Sequence, residues 1–249
     1  MIDFIKASTS KEREAINLFL LRHNAWGQGS TQGYVAYYAA VTPPDSRPLV
    51  DRIVAAAKVC PLHTPAASRF FAGKKGEAWK HVYCLQRLAA YHAPENLLSR
   101  FVGWILRDLG RDPRIHLVAT YADTGLYGPD GRPQDGGIYR ATNAVYCGLS
   151  AAKRVVAYQL NGQRHSLRKG GVTTRIADIP DQARLIRGTK KHRYCWAVGS
   201  RLKRAFRRRA LEARMVRFTF EPVYQPKLLA TLRGLGEWLG RQWLRGVQR

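Results

Sequence analysis

A strand, a helix and a second strand follow one another between residues 80 and 123, and this succession constrains the fold more than any other feature. The first strand reads KHVYCLQRLAAY, and its odd- and even-numbered residues should face opposite sides of a sheet. The helix reads LLSRFVGWILRDLG, and the second strand, IHLVATYAD, is apolar enough to be buried. A helix between two strands of one sheet is a crossover connection, so we predict that these strands are parallel or splayed neighbours.

The preceding residues add further elements, which predicts an α+β protein with a central mixed sheet flanked by helices. A short strand is expected at 2–7 and a second at 33–41, with the helix SKEREAINLFLLRHNAW between them. Residues 42–80 should be irregular, apart from a helix at PLVDRIVAAAKV.

Residues 137–149 follow a glycine-rich loop and are predicted to form one short helix. That helix would carry Tyr139, Asn143 and Tyr146 on one side, at positions i, i+4 and i+7. Further on, RVVAYQL and RHSLRKG should form a hairpin around NGQ, and HRYCWAVG should form a strand. The basic stretch SRLKRAFRRRALEARM reads as a helix, and 226–249 as a second, amphipathic one.

The charge of the chain indicates a polyanionic partner. Its 249 residues carry a net charge of +25, and the segment from Arg184 to Arg249 contains 18 basic and 3 acidic residues. Such clustering is typical of nucleic-acid binding. The alternative, a solubilising surface, does not require charges concentrated in one quarter of the sequence.

The sequence gives no sign of a membrane or secreted protein. It has no run of eighteen apolar residues, and its first residues, MIDFIKASTSKERE, lack an apolar signal segment. The four cysteines are far apart, as expected for reduced thiols in a cytoplasmic protein.

Arg87 and Asp123 are the first candidates for a functional site. Arg87 lies among apolar residues on the first predicted strand, and Asp123 ends the second. A buried guanidinium needs a partner, which Asp123 can supply. The pair is either a structural ion pair or part of a cleft where the sheet opens.

The segment HAPENLLSR is a candidate anion site because it leads from a strand directly into a helix. Free N–H groups and the helix dipole favour a phosphate there, near Asn96, Ser99 and Arg100. Against this, Glu95 would repel a phosphate and no glycine-rich loop is present. The alternative is an ordinary helix start.

A structural zinc site is a weaker alternative. CPLH at 60–63 and HVYC at 81–84 each pair a cysteine with a histidine. His81 and Cys84, however, should point to opposite faces of one strand, which prevents convergence on a metal.

Cations next to aromatic residues suit a nucleic-acid backbone and stacked bases. The stretch GTKKHRYCWAVG and the basic helix after it supply such residues, and the alternatives are an edge strand and an exposed helix without a partner. The candidates are Lys190, Lys191, His192, Arg193, Tyr194, Arg204, Arg207 and Arg208.

Five motifs occur in order between residues 80 and 227. They are LQRLAAY, ENLLSRF, ATYAD, GIYRATNAVYCG and KKHRYCW, with a looser VYQPK after them. In content and order they resemble the Mom-type DNA modification proteins of bacteriophages.

The resemblance implies a fold similar to the acyl-CoA-dependent N-acetyltransferases (GNAT). It implies conversion of the adenine N6 amine in double-stranded DNA to a carbamoylmethyl form, which protects phage DNA from host restriction in the cytoplasm of the infected bacterium. Acetyl-CoA is the expected donor. Arg87, Ser99, Asp123 and Tyr139 fall on family positions with a catalytic role.

Other positions follow the family pattern less closely. Asn143 and Tyr146 are expected at the substrate, and His23 is a weak candidate metal ligand. Gln134 stands about where the family has a histidine, in a longer loop.

The resemblance also suggests a division of the chain, with residues 1–200 as the catalytic domain and 201–249 as a basic helical extension. Two alternative functions remain: a non-catalytic phage DNA-binding protein, and a GNAT acetyltransferase that acts on a protein or a small amine.

Overall fold

The computed structural model describes residues 2–23, 36–62, 64–73, 76–123, 135–150, 155–161, 163–169, 172–187 and 190–218. Twelve strands occur in these ranges, seven of them in a central sheet. In chain order, the central strands are β1 (Asp3–Lys6), β2 (Ala36–Val41), β3 (Ile53–Pro61), β4 (Val82–Ala90), β5 (Leu117–Asp123), β6 (Val145–Leu149) and, later in the chain, β12 (Lys191–Ala197). The strand order is β1-β2-β3-β4-β5-β12-β6, and β4–β5 is its parallel pair.

Six α-helices flank or connect these strands. They are α1 (Ser10–His23), α2 (Leu49–Arg52), α3 (Pro65–Ala72), α4 (Leu97–Leu109), α5 (Gly137–Ala141) and α6 (Arg201–Met215). Short 3₁₀ helices cover Ala78–His81 and Ile176–Asp178. The α+β class, with a central mixed sheet flanked by helices, is confirmed.

A smaller sheet lies between β6 and β12 in the chain. It consists of β7 (Val155–Leu160), β8 (Gln163–Ser166) and β11 (Arg184–Arg187). A two-stranded ladder joins β9 (Arg168–Lys169) to β10 (Val172–Thr173). Strands β7 and β8 pair antiparallel, which confirms the predicted hairpin, and Asn161 adopts a φ of 50° in its turn.

The central sheet is covered on both faces. Val118 packs in one apolar cluster and its neighbour Ala119 in another, as expected for consecutive strand residues. On the first face lies α4, through residues such as Phe101 and Ile105. This is the crossover helix that the sequence predicted between the parallel strands.

The second face is covered in two parts. Over β2 to β4, α1 packs through Ile16, Phe19 and Leu20. Over β5, β6 and β12, α3 and α6 meet in a separate cluster that includes Phe71 and Leu211. Helix α6 therefore packs on the central sheet, while a domain boundary at residue 201 stays a prediction.

The helix predicted at PLVDRIVAAAKV is wrong beyond Arg52. Residues Ile53–Pro61 are instead the long strand β3, between β2 and β4. Alanines favour a helix by local propensity, but Ala55, Ala56 and Ala57 are fully buried. Burial between two strands and two helix layers decides the conformation here, as tertiary context often does.

The single helix predicted over residues 137–149 is also wrong. Helix α5 ends at Ala141, and Asn143 adopts a left-handed φ of 60°, a conformation that asparagine tolerates better than most residues. The following VYCGL then forms β6, which pairs antiparallel with β12. Tyr139, Asn143 and Tyr146 thus lie on a helix, a turn and a strand.

None of the described helices is long and apolar enough to span a membrane. The predicted helix at 226–249, VYQPK and Gln134 lie outside the described residues.

Candidate active site

The parallel strands β4 and β5 separate at the centre of the sheet. They pair from Val82 to Cys84 on β4, opposite Leu117 to Ala119 on β5. Both strands continue beyond this point, to Ala90 and Asp123. The sheet therefore opens here, as one of the two alternatives for Arg87 and Asp123 assumed, and we call the polar residues Lys58, Gln86, Arg87, Asp123 and Lys191 the splay site.

A β-bulge lies at the start of the opening. Val59 pairs with Leu85 and Lys58 pairs with Arg87, so Gln86 is the extra residue on β4. Bulges redirect side chains and are frequent next to active sites. The Gln86 side-chain oxygen is buried and has no hydrogen-bond partner among the described residues, which makes it available to a donor from a ligand.

Lys58 is a member of the splay site that the sequence did not reveal. It is 0% exposed, and its ammonium group lies 5.2 Å from the centre of the Tyr37 ring. Because PLVDRIVAAAKV reads as a helix, the sequence did not indicate that Lys58 lies opposite Arg87 in the sheet.

Asp123 is 5% exposed and lies 3.5 Å from Lys191, measured between Oδ2 and Nζ. The two residues are also paired in the β5–β12 register. The sequence proposed Arg87 as the partner of Asp123 and placed Lys191 at a DNA surface. The structure shows an ion pair between Asp123 and Lys191.

Arg87 lies at the same end of the sheet and donates from Nη1 to the Gln86 carbonyl, at 2.8 Å. Burial lowers the pKa of this guanidinium. Burial also raises the pKa of the Cys84 thiol, while the charges of Arg87 and Lys191 partly oppose that rise.

Tyr139 belongs to a different group of residues, on the α4 side of the sheet. Its ring packs 5.5 Å from Tyr194 and 5.6 Å from Trp196, between centroids. Burial raises the pKa of Tyr139, and a hydrogen bond with the Thr120 side chain lowers it in part. Thr120 in turn donates to the Leu85 carbonyl, at 3.1 Å. Tyr139 is thus linked to the opening through Thr120.

Gly136 explains how the Tyr139 and Tyr194 rings come together. It has a φ of +81°, and a Cβ added to it would lie 2.9 Å from Tyr194 Cζ and 3.0 Å from Tyr139 Cδ2. Tyr194 donates its hydroxyl to the Asp135 carbonyl, and Arg140 donates to that same hydroxyl at 3.2 Å. The GlyGlyIleTyr segment is therefore held against β12.

Tyr146 and His192 complete this aromatic cluster, which we define as Tyr139, Tyr146, His192, Tyr194 and Trp196. The Tyr146 hydroxyl lies 3.1 Å from His192 Nδ1, and burial lowers the pKa of His192. His192 and Tyr194 were predicted to contact DNA. Both are buried, so their side chains serve the interior of the cluster in this structure.

Arg193 is enclosed on the opposite face. Its guanidinium lies 3.8 Å from the centre of the Phe70 ring and 5.8 Å from that of Phe218. It donates to the carbonyl groups of Gly148 and Leu149. These contacts connect β6, α3 and Phe218, which follows α6, whereas the sequence suggested a DNA contact. Lys190, by contrast, is exposed.

Residues that the sequence assigned to two different ligands line one open cleft between α4 and α6. This arginine cleft has a volume of about 1000 Å³. Its walls include Ser99 and Arg100, predicted at an anion site, Asn143, predicted at the substrate, and Arg204 and Arg208, predicted at DNA. Arg107, Arg111 and Arg201 also line it. The regular spacing of the arginines on α6 is visible in the sequence and could have indicated this surface.

Two other predicted residues, Arg207 and Asn96, are not among the residues that line this cleft. Arg207 turns back and donates to the Val198 carbonyl, at 2.6 Å. Asn96 precedes α4 in a left-handed conformation with a φ of 60°, and its carbonyl accepts from the Ser99 hydroxyl. Glu95 and Arg100 share a separate hollow of about 400 Å³ at the start of α4.

His23 is stacked on Tyr91, with 4.4 Å between ring centroids, and burial lowers its pKa. Within the described ranges no group of three or more His, Cys, Asp or Glu side chains is placed to hold a metal ion. His63, of the CPLH motif, lies outside those ranges.

Several solved structures are remotely similar to this chain. Arabidopsis thaliana NAA60 in complex with acetyl-CoA is 9% identical and has a TM-score of 0.45, over 79% of this chain and 98% of that one. A ribosomal-protein-alanine N-acetyltransferase from Brucella melitensis is 10% identical, with a TM-score of 0.42 over 79% and 99% of the two chains. The GphF GNAT-like decarboxylase in complex with isobutyryl-CoA is 16% identical, with a TM-score of 0.43 over 78% and 98%.

No curated protein matches the sequence significantly. A sequence model of the Mom protein family, however, matches residues 60–214, which is more than half of the 249 residues. The match includes the opening between β4 and β5, the aromatic cluster and the arginine cleft. It confirms the resemblance read from the motifs, and the chain belongs to the Mom protein family.

Proposed function

We propose that this protein is an acyl-CoA-dependent transferase that modifies the N6 amine of adenine in double-stranded DNA. The product that the family resemblance implies is the carbamoylmethyl adduct, which would protect phage DNA from restriction in the bacterial host. The observation that carries the proposal is the splay site, where Asp123, three cations and an unsatisfied acceptor surround an opening in the sheet.

The opening suits an acyl-CoA donor. The buried Gln86 oxygen lacks a partner among the described residues, and an amide N–H of the pantetheine arm is a donor that would satisfy it. Gln86 and Arg87 would hold that arm, and Asn96, Ser99 and Arg100 would receive the phosphates at the start of α4. When bound, the thioester would supply an activated acyl carbon, and attack by the amine would release CoA as its free thiol and give the N6-acetyl product. The carbamoylmethyl adduct contains one more nitrogen, which this step does not supply.

Asp123 is the proposed acceptor for a proton of the adenine amine. A carboxylate accepts hydrogen bonds and can act as a general base when it lies within reach of the proton. Lys191, 3.5 Å away, fixes the position of the carboxylate. Removal of such a base typically reduces the rate by about a hundredfold to ten-thousandfold.

Tyr139 is the proposed hydrogen-bond donor on the other side of the opening. Because burial raises its pKa, the hydroxyl remains protonated at neutral pH and can donate to a developing oxyanion. Its link through Thr120 to the Leu85 carbonyl places it next to the strand that forms the bulge.

The adenine amine must leave the base stack to reach these groups. Enzymes that act on a base inside a duplex extrude it into a pocket, at a cost of about a few kcal/mol. Exposed cations at the surface would offset part of that cost through contacts with the DNA backbone.

The test is mass spectrometry of nucleosides from plasmid DNA after expression in bacteria. The acetyl and carbamoylmethyl adducts differ by one nitrogen and one hydrogen, so the measurement also identifies the product. Asp123→Asn should abolish the adduct, whereas Asp181→Asn, the same change at an exposed site, should leave it unchanged. Unmodified adenosine in the presence of folded wild-type protein would refute the proposal.

A further inference from the structure

The arginine cleft is lined by arginines from two parts of the chain, α4 with the residues just after it and α6. Helix α4 and the residues after it supply one wall, α6 supplies the other, and Trp196 and Val198 lie between them. The end of α5, at Thr142 and Asn143, closes one side. The cleft is thus concave and bounded by regular structure.

The arginines lie at helical spacing. The first set comprises two arginines on α4, seven positions apart, and a third just after the end of that helix. The second set is spaced by three and four positions along α6, which places it on one face of that helix. The first set is Arg100, Arg107 and Arg111, and the second is Arg201, Arg204 and Arg208.

These six cations are poorly neutralised by the protein itself. No Asp or Glu is among the described residues that line the cleft. In the part of the chain that the structure describes, Arg208 forms a salt bridge, with Glu212 at 2.7 Å, and the other five form none. Nearby carboxylates are engaged elsewhere: Asp108 pairs with Lys6 and Asp112 with Arg114.

Gly103 keeps the α4 wall open. A Cβ added there would meet only the end of the Arg107 side chain, at 3.8 Å. No packing contact therefore requires a residue as small as glycine here, although a glycine within a helix costs about 1 kcal/mol relative to alanine. Its effect is to leave room in the middle of the row of arginines.

The dimensions of the cleft fit a phosphodiester chain. From Ser99 to Arg107 the helical rise amounts to about 12 Å, which matches roughly three to four nucleotides of one strand of duplex DNA. Guanidinium groups bind phosphate oxygens in a bidentate manner. A concave row of unneutralised arginines therefore favours an extended polyanion over a single small anion.

We infer that the arginine cleft binds the sugar–phosphate backbone of one DNA strand, apart from the splay site where the base would react. The choice of DNA over another polyanion rests on the proposed function. The residues of the cleft contact phosphates and do not read the sequence of bases.

The test is fluorescence anisotropy with a fluorescein-labelled DNA duplex of two helical turns, titrated at several salt concentrations. The variant carries Arg107→Gln, Arg111→Gln and Arg204→Gln, and omits Arg100 because the proposed function assigns Arg100 to the phosphates of the donor. Each lost phosphate contact should reduce the slope of log affinity against log salt by about 1, so the triple variant should show a slope shallower by roughly 3.

A matched control carries Arg13→Gln, Arg175→Gln and Arg209→Gln, three exposed residues that do not line the cleft. It should retain nearly the wild-type slope at the same net charge. Equal losses in both variants, or an unchanged slope in the cleft variant, would overturn the inference. Circular dichroism verifies that each variant is folded, and Gly103→Glu provides a second variant that adds a carboxylate without removing an arginine.

Calorimetry with acetyl-CoA separates the cleft from the cofactor site. If the cleft variant loses acetyl-CoA binding but keeps DNA binding, the arginines serve the phosphates of the donor and the inference is wrong. Failure of the proposed function has a different signature, namely salt-dependent DNA binding through the cleft without any modified adenosine in the nucleoside assay.

Discussion

Replacing Gly136 with alanine tests the packing that brings α5 to β12. The glycine has a φ of +81°, and an added Cβ would lie 2.9 Å from Tyr194 Cζ, still closer to Tyr194 Cε2, and 3.0 Å from Tyr139 Cδ2. Tyr194 is 0% exposed, and its hydroxyl is held by Asp135 and Arg140. The ring therefore has little freedom to move away.

Two costs add up in this variant. A left-handed backbone costs a residue that carries a Cβ about 1–2 kcal/mol. Insertion of a methyl group into a packed interior costs a further 1–3 kcal/mol, roughly. The free energy of unfolding should therefore fall by about 3 kcal/mol, which for a domain of this size lowers Tm by about 10 °C.

The assay is thermal unfolding by differential scanning calorimetry, with near-ultraviolet circular dichroism to report the packing of the tyrosines. Gly137→Ala is the matched control, because its added Cβ would meet Asp135 Oδ1 at an ordinary 3.5 Å. That variant should unfold at or slightly above the wild-type temperature, since alanine favours a helix over glycine. Equal Tm values for the two variants would show that Gly136 is not constrained by the rings.

Two further predictions concern stability. Arg193→Ala removes two hydrogen bonds and the contacts with Phe70 and Phe218, and should lower the free energy of unfolding in urea by about 2 kcal/mol; Arg209→Ala, on the exposed side of α6, should change it by less than about 0.5 kcal/mol. Burial lowers the pKa of His116 from 6.5 to about 4, so the unfolded chain binds more protons in that window and stability should fall as pH falls from about 6.5 to about 4. His116→Gln should reduce this pH dependence in urea titrations, and an unchanged profile would contradict the assignment.

The sequence predicted the central part of the fold well, because the information there is local. The alternation in β4, the apolar face of α4 and the uniformly apolar β5 each identify an element, and the crossover rule then relates them. The position of Asp123 at the end of β5, next to an opening in the sheet, followed from the same pattern.

Long-range packing accounts for the errors. Local propensity could not show that the alanines of β3 are buried between α1 and α4, and so Lys58 was missed. Likewise, pairing with β12 rather than helical periodicity determines the conformation of Val145 and Tyr146. Which face of a strand is buried depends on its neighbours, so the sequence alone could not show that His192 is buried or that Arg193 packs between Phe70 and Phe218.

The arginine cleft could be predicted from the sequence only in part. The total charge and its concentration near the C-terminal quarter were evident from composition. The regular spacing on α6 was also visible, but the matching row on α4 lies a hundred residues earlier. Only the packing of the two helices on either side of β12 brings the rows together.

The reactivity of the four buried cysteines can report how the central sheet opens locally. Cys60 and Cys84 are free thiols that lie opposite each other on the neighbouring strands β3 and β4. Cys147 lies on β6 and Cys195 on β12, and burial raises the pKa of each thiol. Reagents that attack thiolates can reach these groups only after local unfolding. Thiol labelling followed by mass spectrometry would therefore show which half of the sheet opens first. It would also show whether a donor bound between β4 and β5 slows the labelling of Cys60 and Cys84 more than that of Cys147 and Cys195.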